Sequence, residues 1–278
     1  CGMDERIYLA RAALHMWEEP CISGTKGSGA VFFSGCGLRC CFCQNHDIAI
    51  GSRGRAVSVE RLGEIFLELK EKGAANINLV TGAHYVPQII EALDMARRNG
   101  LDIPVVYNSS GYEKTETLKL LEGYVDIYLP DLKYLDPELA QKFSYAPDYV
   151  QAAKAAIGEM VRQTGKCEFG EDGYIRKGTI VRHLILPGHT GNSIKALRYL
   201  HETYGEDIYI SIMNQYTPVR KFVEFKELNR KVTKREYEKV LDAAVDMGIQ
   251  NGFIQEGETA SESFIPDFDY EGVEKNTP

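Results

Sequence analysis

The chain has 278 residues, 44% of them hydrophobic, enough to bury the core of one large domain. Its 32 Lys and Arg against 40 Asp and Glu give a net charge of -8, the wrong sign for neutralising a phosphate backbone, so no nucleic-acid partner is expected. Apolar runs such as Ile103 to Val106 fall far short of the roughly 20 residues that cross a bilayer, and no charged n-region precedes an apolar h-region. The expectation is a cytoplasmic protein with no membrane partner.

Along the chain, Glu5 to Glu18 is an amphipathic stretch whose His15 and Trp17 are expected to pack, and residues 1–24 are taken as an N-terminal extension on a single domain spanning 25–278. Gly24-Thr25-Lys26-Gly27-Ser28-Gly29 looks like a phosphate-binding loop but precedes a strand and lacks the Gly-Lys-Ser/Thr ending, so it is read as a glycine-rich chain entry. From residue 29 onward, short β-rich runs alternate with amphipathic helical stretches. The expected strands are Ala30 to Ser34, Ile77 to Thr81, Pro104 to Asn108, Val125 to Leu129, Thr179 to Leu186 and Ile208 to Met213, with Gly252 to Gln255 as a short addition. The expected helices are Val59 to Lys72, Pro87 to Arg98, Lys114 to Leu121, Pro137 to Glu159, Asn192 to Tyr204 and Thr233 to Met247. Six strand–helix repeats with apolar strands predict an α/β protein built as a partial (β/α)6 barrel with parallel strands, its functional residues at the C-terminal strand ends. A doubly wound open sheet is the alternative. Gly165 to Lys177 is the most loop-like interior segment, and the tail from Pro266 is expected to wrap or fray.

Seven cysteines are an odd number, and four of them crowd between Cys36 and Cys43, unlike a secreted disulfide framework. After the first strand, Cys36, Cys40 and Cys43 form Cys-x3-Cys-x2-Cys. Three thiolates on one loop can hold three irons of a [4Fe-4S] cubane and leave the fourth open, whereas an electron-transfer cluster normally takes four. A zinc knuckle would need a fourth ligand, with Cys41 or His46 as candidates. Cys21 and Cys167 stand apart and are expected to pack.

This motif, with an aromatic, Phe42, before the last cysteine, resembles the signature of the radical S-adenosylmethionine (SAM) superfamily. Over about residues 25 to 255 the chain is similar to the pyruvate formate-lyase activating enzymes. The resemblance implies that Cys36, Cys40 and Cys43 hold the cluster, and that the open iron chelates SAM, whose cleavage gives a 5′-deoxyadenosyl radical that abstracts hydrogen.

It further implies SAM contacts at Phe42, Asn45 and, where the relatives carry a Gly-Gly-Glu-like motif, at Gly82, Ala83 and His84; this sequence keeps one glycine there and no acidic residue. Asn108 and Ser110 would reach the ribose, although Asn108-Ser109-Ser110-Gly111 also suits a turn. In Pro130-Asp131-Leu132-Lys133, Lys133 suits the SAM carboxylate and Asp131 its amino group or a monovalent cation. In Arg182-His183-Leu184-Ile185, alternation sends one polar residue into the lumen, taken as His183. Gln215 and Tyr216 end the last strand.

The implied function is an oxidoreductase acting on a protein or peptide, as a glycyl-radical activase does, served by a flavodoxin or ferredoxin electron donor. Alternatives are a radical SAM enzyme for a small molecule, and an iron–sulfur electron-transfer or assembly protein.

Overall fold

The computed structural model describes residues 1–254 and 266–275. Its strands are β1 (Ile7–His15), β2 (Ser28–Phe33), β3 (Arg55–Val57), β4 (Ile77–Val80), β5 (Val105–Ser109), β6 (Ile127–Pro130), β7 (Glu168–Phe169), β8 (Ile175–Leu184), β9 (Tyr209–Met213) and β10 (Gly252–Ile254). Its helices are α1 (Pro20–Ser23), α2 (His46–Ala49), α3 (Val59–Glu71), α4 (Val86–Arg98), α5 (Thr115–Leu120), α6 (Pro137–Ser144), α7 (Tyr149–Thr164), α8 (Thr190–Tyr204) and α9 (Lys234–Asp246). The sheet runs β10-β9-β8-β6-β5-β4-β2-β1-β3, with β7 attached to β8. From β2 through β10 every neighbouring pair on this path is parallel. The six expected strands are present, and β10 extends them; Gln255 lies outside the described residues.

Parallel strands need crossover helices, and those helices bury the outer sheet face. On α3, Leu62, Ile65, Phe66 and Leu69 recur at helical spacing and are all buried in the main core. α9 opens with a capping box in which Thr233 and Glu236 satisfy each other's backbone N–H groups.

Two expectations are corrected, after one stretch to which the sequence assigned no element. The amphipathic N-terminal stretch forms β1, antiparallel to β2 with a bulge between Leu9 and Arg11; it covers what would otherwise be a free sheet edge. The single helix expected over Pro137 to Glu159 is two, α6 and α7. Tyr145 takes a left-handed conformation (φ 54) that ends α6, and Pro147 disfavours helical geometry at Ala146. The loop-like segment Gly165 to Lys177 contains an antiparallel hairpin pairing Glu168 with Lys177 and Phe169 with Ile175.

Alternation along the strands builds the barrel interior in layers. At the floor, α1 inserts Cys21 and Ile22 beneath Val106, Ile127, Leu129 and Ile180, with Cys167 beside them, so the two isolated cysteines do pack. The described part of the tail wraps: Ala12 N–H donates to Glu271 O at 2.8 Å, Tyr270 N–H donates to Ala10 O at 3.1 Å, and Val273 is buried. No described helix is long and apolar enough to cross a membrane.

Candidate active site

One cavity of about 490 Å³ occupies the lumen, lined at one end by Cys36, Cys40 and Cys43 and at the other by His15, Glu18 and Glu19. The cysteine loop is held by backbone bonds, Cys41 N–H to Phe143 O at 2.8 Å and Cys43 N–H to Cys40 O at 3.2 Å. The Leu38 N–H donates to Cys36 Sγ at 3.4 Å and the Ser144 hydroxyl to Cys40 Sγ at 3.0 Å. Burial pushes all three thiols up, Cys43 to about 12, while the Lys133 ammonium pulls each of them down. Buried thiols of this kind give up their protons when a metal centre binds them.

Among the described residues, no three His, Cys, Asp or Glu side chains converge on a point that one metal ion could occupy. Three thiols on one loop suit a cubane, in which each sulfur takes its own iron and the fourth iron stays open. The two candidate fourth ligands are also turned elsewhere. Cys41 is buried in the core around Phe143 and Leu186, and His46 is half-exposed beside Asp47.

Beneath the thiols runs a chain of charges. Lys133 Nζ donates to Asp131 Oδ2 at 2.6 Å; Arg182 donates to Asp131 Oδ1 at 3.0 Å, Glu18 Oε2 at 3.2 Å and Asn108 Oδ1 at 2.6 Å. Glu18 also accepts from Asn78 and Asn108. Burial raises the Asp131 carboxyl, but Lys133 and Arg182 outweigh it and hold the group below its ordinary range. Burial likewise opposes the charges on Lys133 and Arg182, and their carboxylate partners outweigh it. Asp131, Lys133 and Arg182 thus hold one another in their charged forms.

Of the residues singled out from sequence, Phe42, Asn45, Asn108, Ser110, Asp131, Lys133 and Gln215 line the cavity. Tyr216 does too, with its hydroxyl tied to Leu228 O at 2.7 Å. His15 and Trp17 also line it, where packing alone was expected.

Gly82, Ala83 and His84 are not on the wall; Thr81, at φ 63, is. A Cβ at Gly82 would point at Ile89 and Phe33, and His84 Nε2 lies 2.8 Å from Ser34 O. His183 is also misplaced from sequence: it lies outside the lumen, fully buried, with Nδ1 2.6 Å from Leu132 O. Arg182 takes the inward position because the lumen offers it Asp131, Glu18 and Asn108, whereas outside the lumen the His183 ring finds one partner, the Leu132 carbonyl, and its Nε2 has none among the described residues. Sequence reading also missed Glu18, Glu19 and Asn78. Asn78 carried a signal, a lone polar residue within Ile77–Val80; Glu18 and Glu19 reach the lumen from a distant segment and carried none.

With this geometry in hand, comparison with known proteins is decisive. Residues 30–200, more than half of the chain, match the family described as the Radical SAM superfamily. The chain belongs to that superfamily. Radical SAM proteins use a [4Fe-4S] cluster and SAM, and both are assigned to this enzyme. The chain is 28% identical over 251 residues to the uncharacterised protein MJ0674 of Methanocaldococcus jannaschii, covering 88% of this chain and 68% of that one. It is 27% identical over 113 residues to the pyruvate formate-lyase-activating enzyme of Clostridium pasteurianum, covering 39% and 46%. Among solved structures, SuiB of Streptococcus suis bound to S-adenosylmethionine superposes with a TM-score of 0.53 at 14% identity, covering 82% of this chain and 52% of that one. The hydrogenase maturase HydG of Carboxydothermus hydrogenoformans gives 0.53 at 14%, covering 85% and 56%. The chain thus spans about half of each of these two structures, and the likeness establishes the partial barrel fold.

Proposed function

We propose that this radical SAM enzyme is of the activase type and abstracts a hydrogen atom from a polypeptide segment presented at the open side of its barrel. The observation that supports this reading is exposure along the cavity's rim. Trp17, just past β1, and Ile254, ending β10, both line the cavity, and both are 52% exposed. The lumen therefore meets solvent along a side through which a chain segment can enter.

In this reading Cys36, Cys40 and Cys43 hold the cluster, and Lys133, beside all three thiols, receives the SAM carboxylate. Asp131 keeps Lys133 charged. Asn45, Asn108, Ser110 and Gln215 offer hydrogen bonds to the remaining polar groups of SAM. When bound, the cluster and SAM supply a carbon radical that abstracts hydrogen. The protein's part is to exclude water around it, which the packed rings of Phe42, Phe143 and Tyr216 do, at centroid separations of 6.1 to 6.5 Å. An electron donor of the flavodoxin or ferredoxin type supplies the reducing equivalent.

A small-molecule substrate is the second reading, favoured by the polar groups at the cavity floor. The test is anaerobic reconstitution with iron and sulfide, reduction, addition of SAM and quantification of 5′-deoxyadenosine, beside a Cys36→Ala/Cys40→Ala/Cys43→Ala control. Deuterated cell extract is then divided by dialysis. Deuterium entering deoxyadenosine from the retained fraction supports the polypeptide reading; deuterium from the dialysable fraction alone moves the small molecule to the front.

A further inference from the structure

The cavity floor holds one acidic group more than its network uses. Lys133 and Arg182 carry two positive charges, which Asp131 and Glu18 balance. Glu19 is a third carboxyl in the same layer, 9% exposed, lining the cavity, and its Oε2 has no hydrogen-bond partner among the described residues. Asn78 Oδ1, whose amide N–H₂ donates to Glu18, likewise lacks a donor. Both unsatisfied atoms are acceptors, and a buried acceptor without a donor is destabilising.

Among the described residues, no neighbouring side chain supplies a positive charge for Glu19 to pair with when it ionises. His15 lies on the same wall, but burial, with Arg11 and Arg182 nearby, lowers it to about 4, so it stays neutral. Cys21 is a thiol raised to about 12 by burial and by Glu19 itself. Ser211 beside Glu19 favours its ionised form but carries no charge, and Arg182 is already divided among Asp131, Glu18 and Asn108. Burial and the Glu18 charge raise the Glu19 carboxyl against the pull of Arg182. A cationic ligand entering here would favour the ionised form of Glu19, gain a charge-assisted bond and balance its charge. Trp17 and Phe32 line the same cavity and add apolar surface for an alkyl stem.

We propose that Glu19 anchors the substrate by binding a protonated amine, an ammonium or guanidinium group on an alkyl stem, at the barrel floor opposite the three thiols. The inference rests on the radical SAM reading of the cavity. It names the substrate class as a cationic amine, whether a Lys or Arg side chain of a peptide or a free amino compound.

The test is calorimetric titration of the reconstituted holoenzyme with Nα-acetyl-lysine amide, its neutral isostere Nα-acetyl-norleucine amide, and free n-butylamine. The lysine probe should bind at least about tenfold more tightly than the norleucine probe, a difference of roughly 1.4 kcal/mol. That preference should disappear in Glu19→Gln and persist in Glu116→Gln, a substitution on the outer helix α5. Lowering the pH should weaken the lysine probe as Glu19 protonates, and should leave its residual binding to Glu19→Gln unchanged. If acetyl-lysine amide binds and butylamine does not, the amine belongs to a peptide; if both bind, a free amine suffices.

Equal binding of the charged and neutral probes, or an undiminished preference in Glu19→Gln, overturns the proposal. Should Glu19→Gln unfold, Glu19→Asp decides: a retained preference for the charged probe supports the carboxylate anchor, and equal binding of the two probes overturns it. Deoxyadenosine is measured on the same preparations. SAM left uncleaved with probe selectivity intact would refute the radical SAM function and leave the amine site standing; SAM cleaved without selectivity refutes the site alone.

Discussion

Arg182 Nε donates to Asp131 Oδ1 at 3.0 Å, and the same two residues form the isolated backbone bridge that continues the pairing of β6 with β8. Side chain and backbone thus lock these strands together at their C-terminal ends, where Lys133 must be aimed at the thiols. Both side chains are only 15% exposed, so removing one partner strands the other's charge. Arg182→Met is expected to cost roughly 3–5 kcal/mol in urea unfolding. The double variant Arg182→Met/Asp131→Asn should recover part of that loss.

The cysteines divide by where they point. Ala at Cys36, Cys40 or Cys43 should abolish iron retention and deoxyadenosine formation. Cys41→Ala should keep both at wild-type levels and cost about 1 kcal/mol of packing, because Cys41 is buried in the core facing Phe143. Iron and sulfide content of each purified variant, with its melting curve, checks the division.

Ser144 reaches Cys40 Sγ at 3.0 Å from the end of α6, and a hydrogen bond to a cluster sulfur raises its reduction potential. Ser144→Ala should therefore retain iron and show a more negative midpoint in redox titration followed by electron paramagnetic resonance. The variant should also lose about 1 kcal/mol of stability with the Tyr134 bond.

His183 gives the fold an acid limit. Its ordinary value is 6.5, and burial lowers it to about 4 in the folded chain, so on acidification protons bind first to the unfolded state. The stability present above pH 6.5 is lost progressively as pH falls toward 4, to a total of about 3 kcal/mol. His15, lowered to a similar value, adds to the same slope. Urea unfolding at pH 7 and pH 5 should show the loss, and His183→Gln should flatten it.

Tyr145 closes α6 in a left-handed conformation that costs a residue with a Cβ roughly 1–2 kcal/mol. Its ring is exposed, so little packing is at stake. Tyr145→Gly should raise stability by about 1 kcal/mol with cluster content unchanged, as thermal unfolding and iron analysis would show.

Local pattern determined much of this protein. Alternating apolar strands and amphipathic helices dictated the parallel partial barrel, and the spacing of Cys36, Cys40 and Cys43 on one loop dictated the chemistry they suit. Both are properties of neighbours in sequence. β1 was not legible, because an amphipathic stretch becomes a strand only when β2 offers it an edge. Whether Arg182 or His183 faces the lumen was equally open, since alternation says that the two differ and not which one turns inward. The tertiary structure decided it by setting Asp131, Glu18 and Asn108 inside, where a guanidinium finds three acceptors, and the Leu132 carbonyl outside, within reach of His183 Nδ1. Glu18 and Glu19 became part of the site the same way, because α1 carries its own end of the chain into the barrel floor. The charge balance of a buried layer is a sum over residues far apart in sequence, and only folding brings its members together.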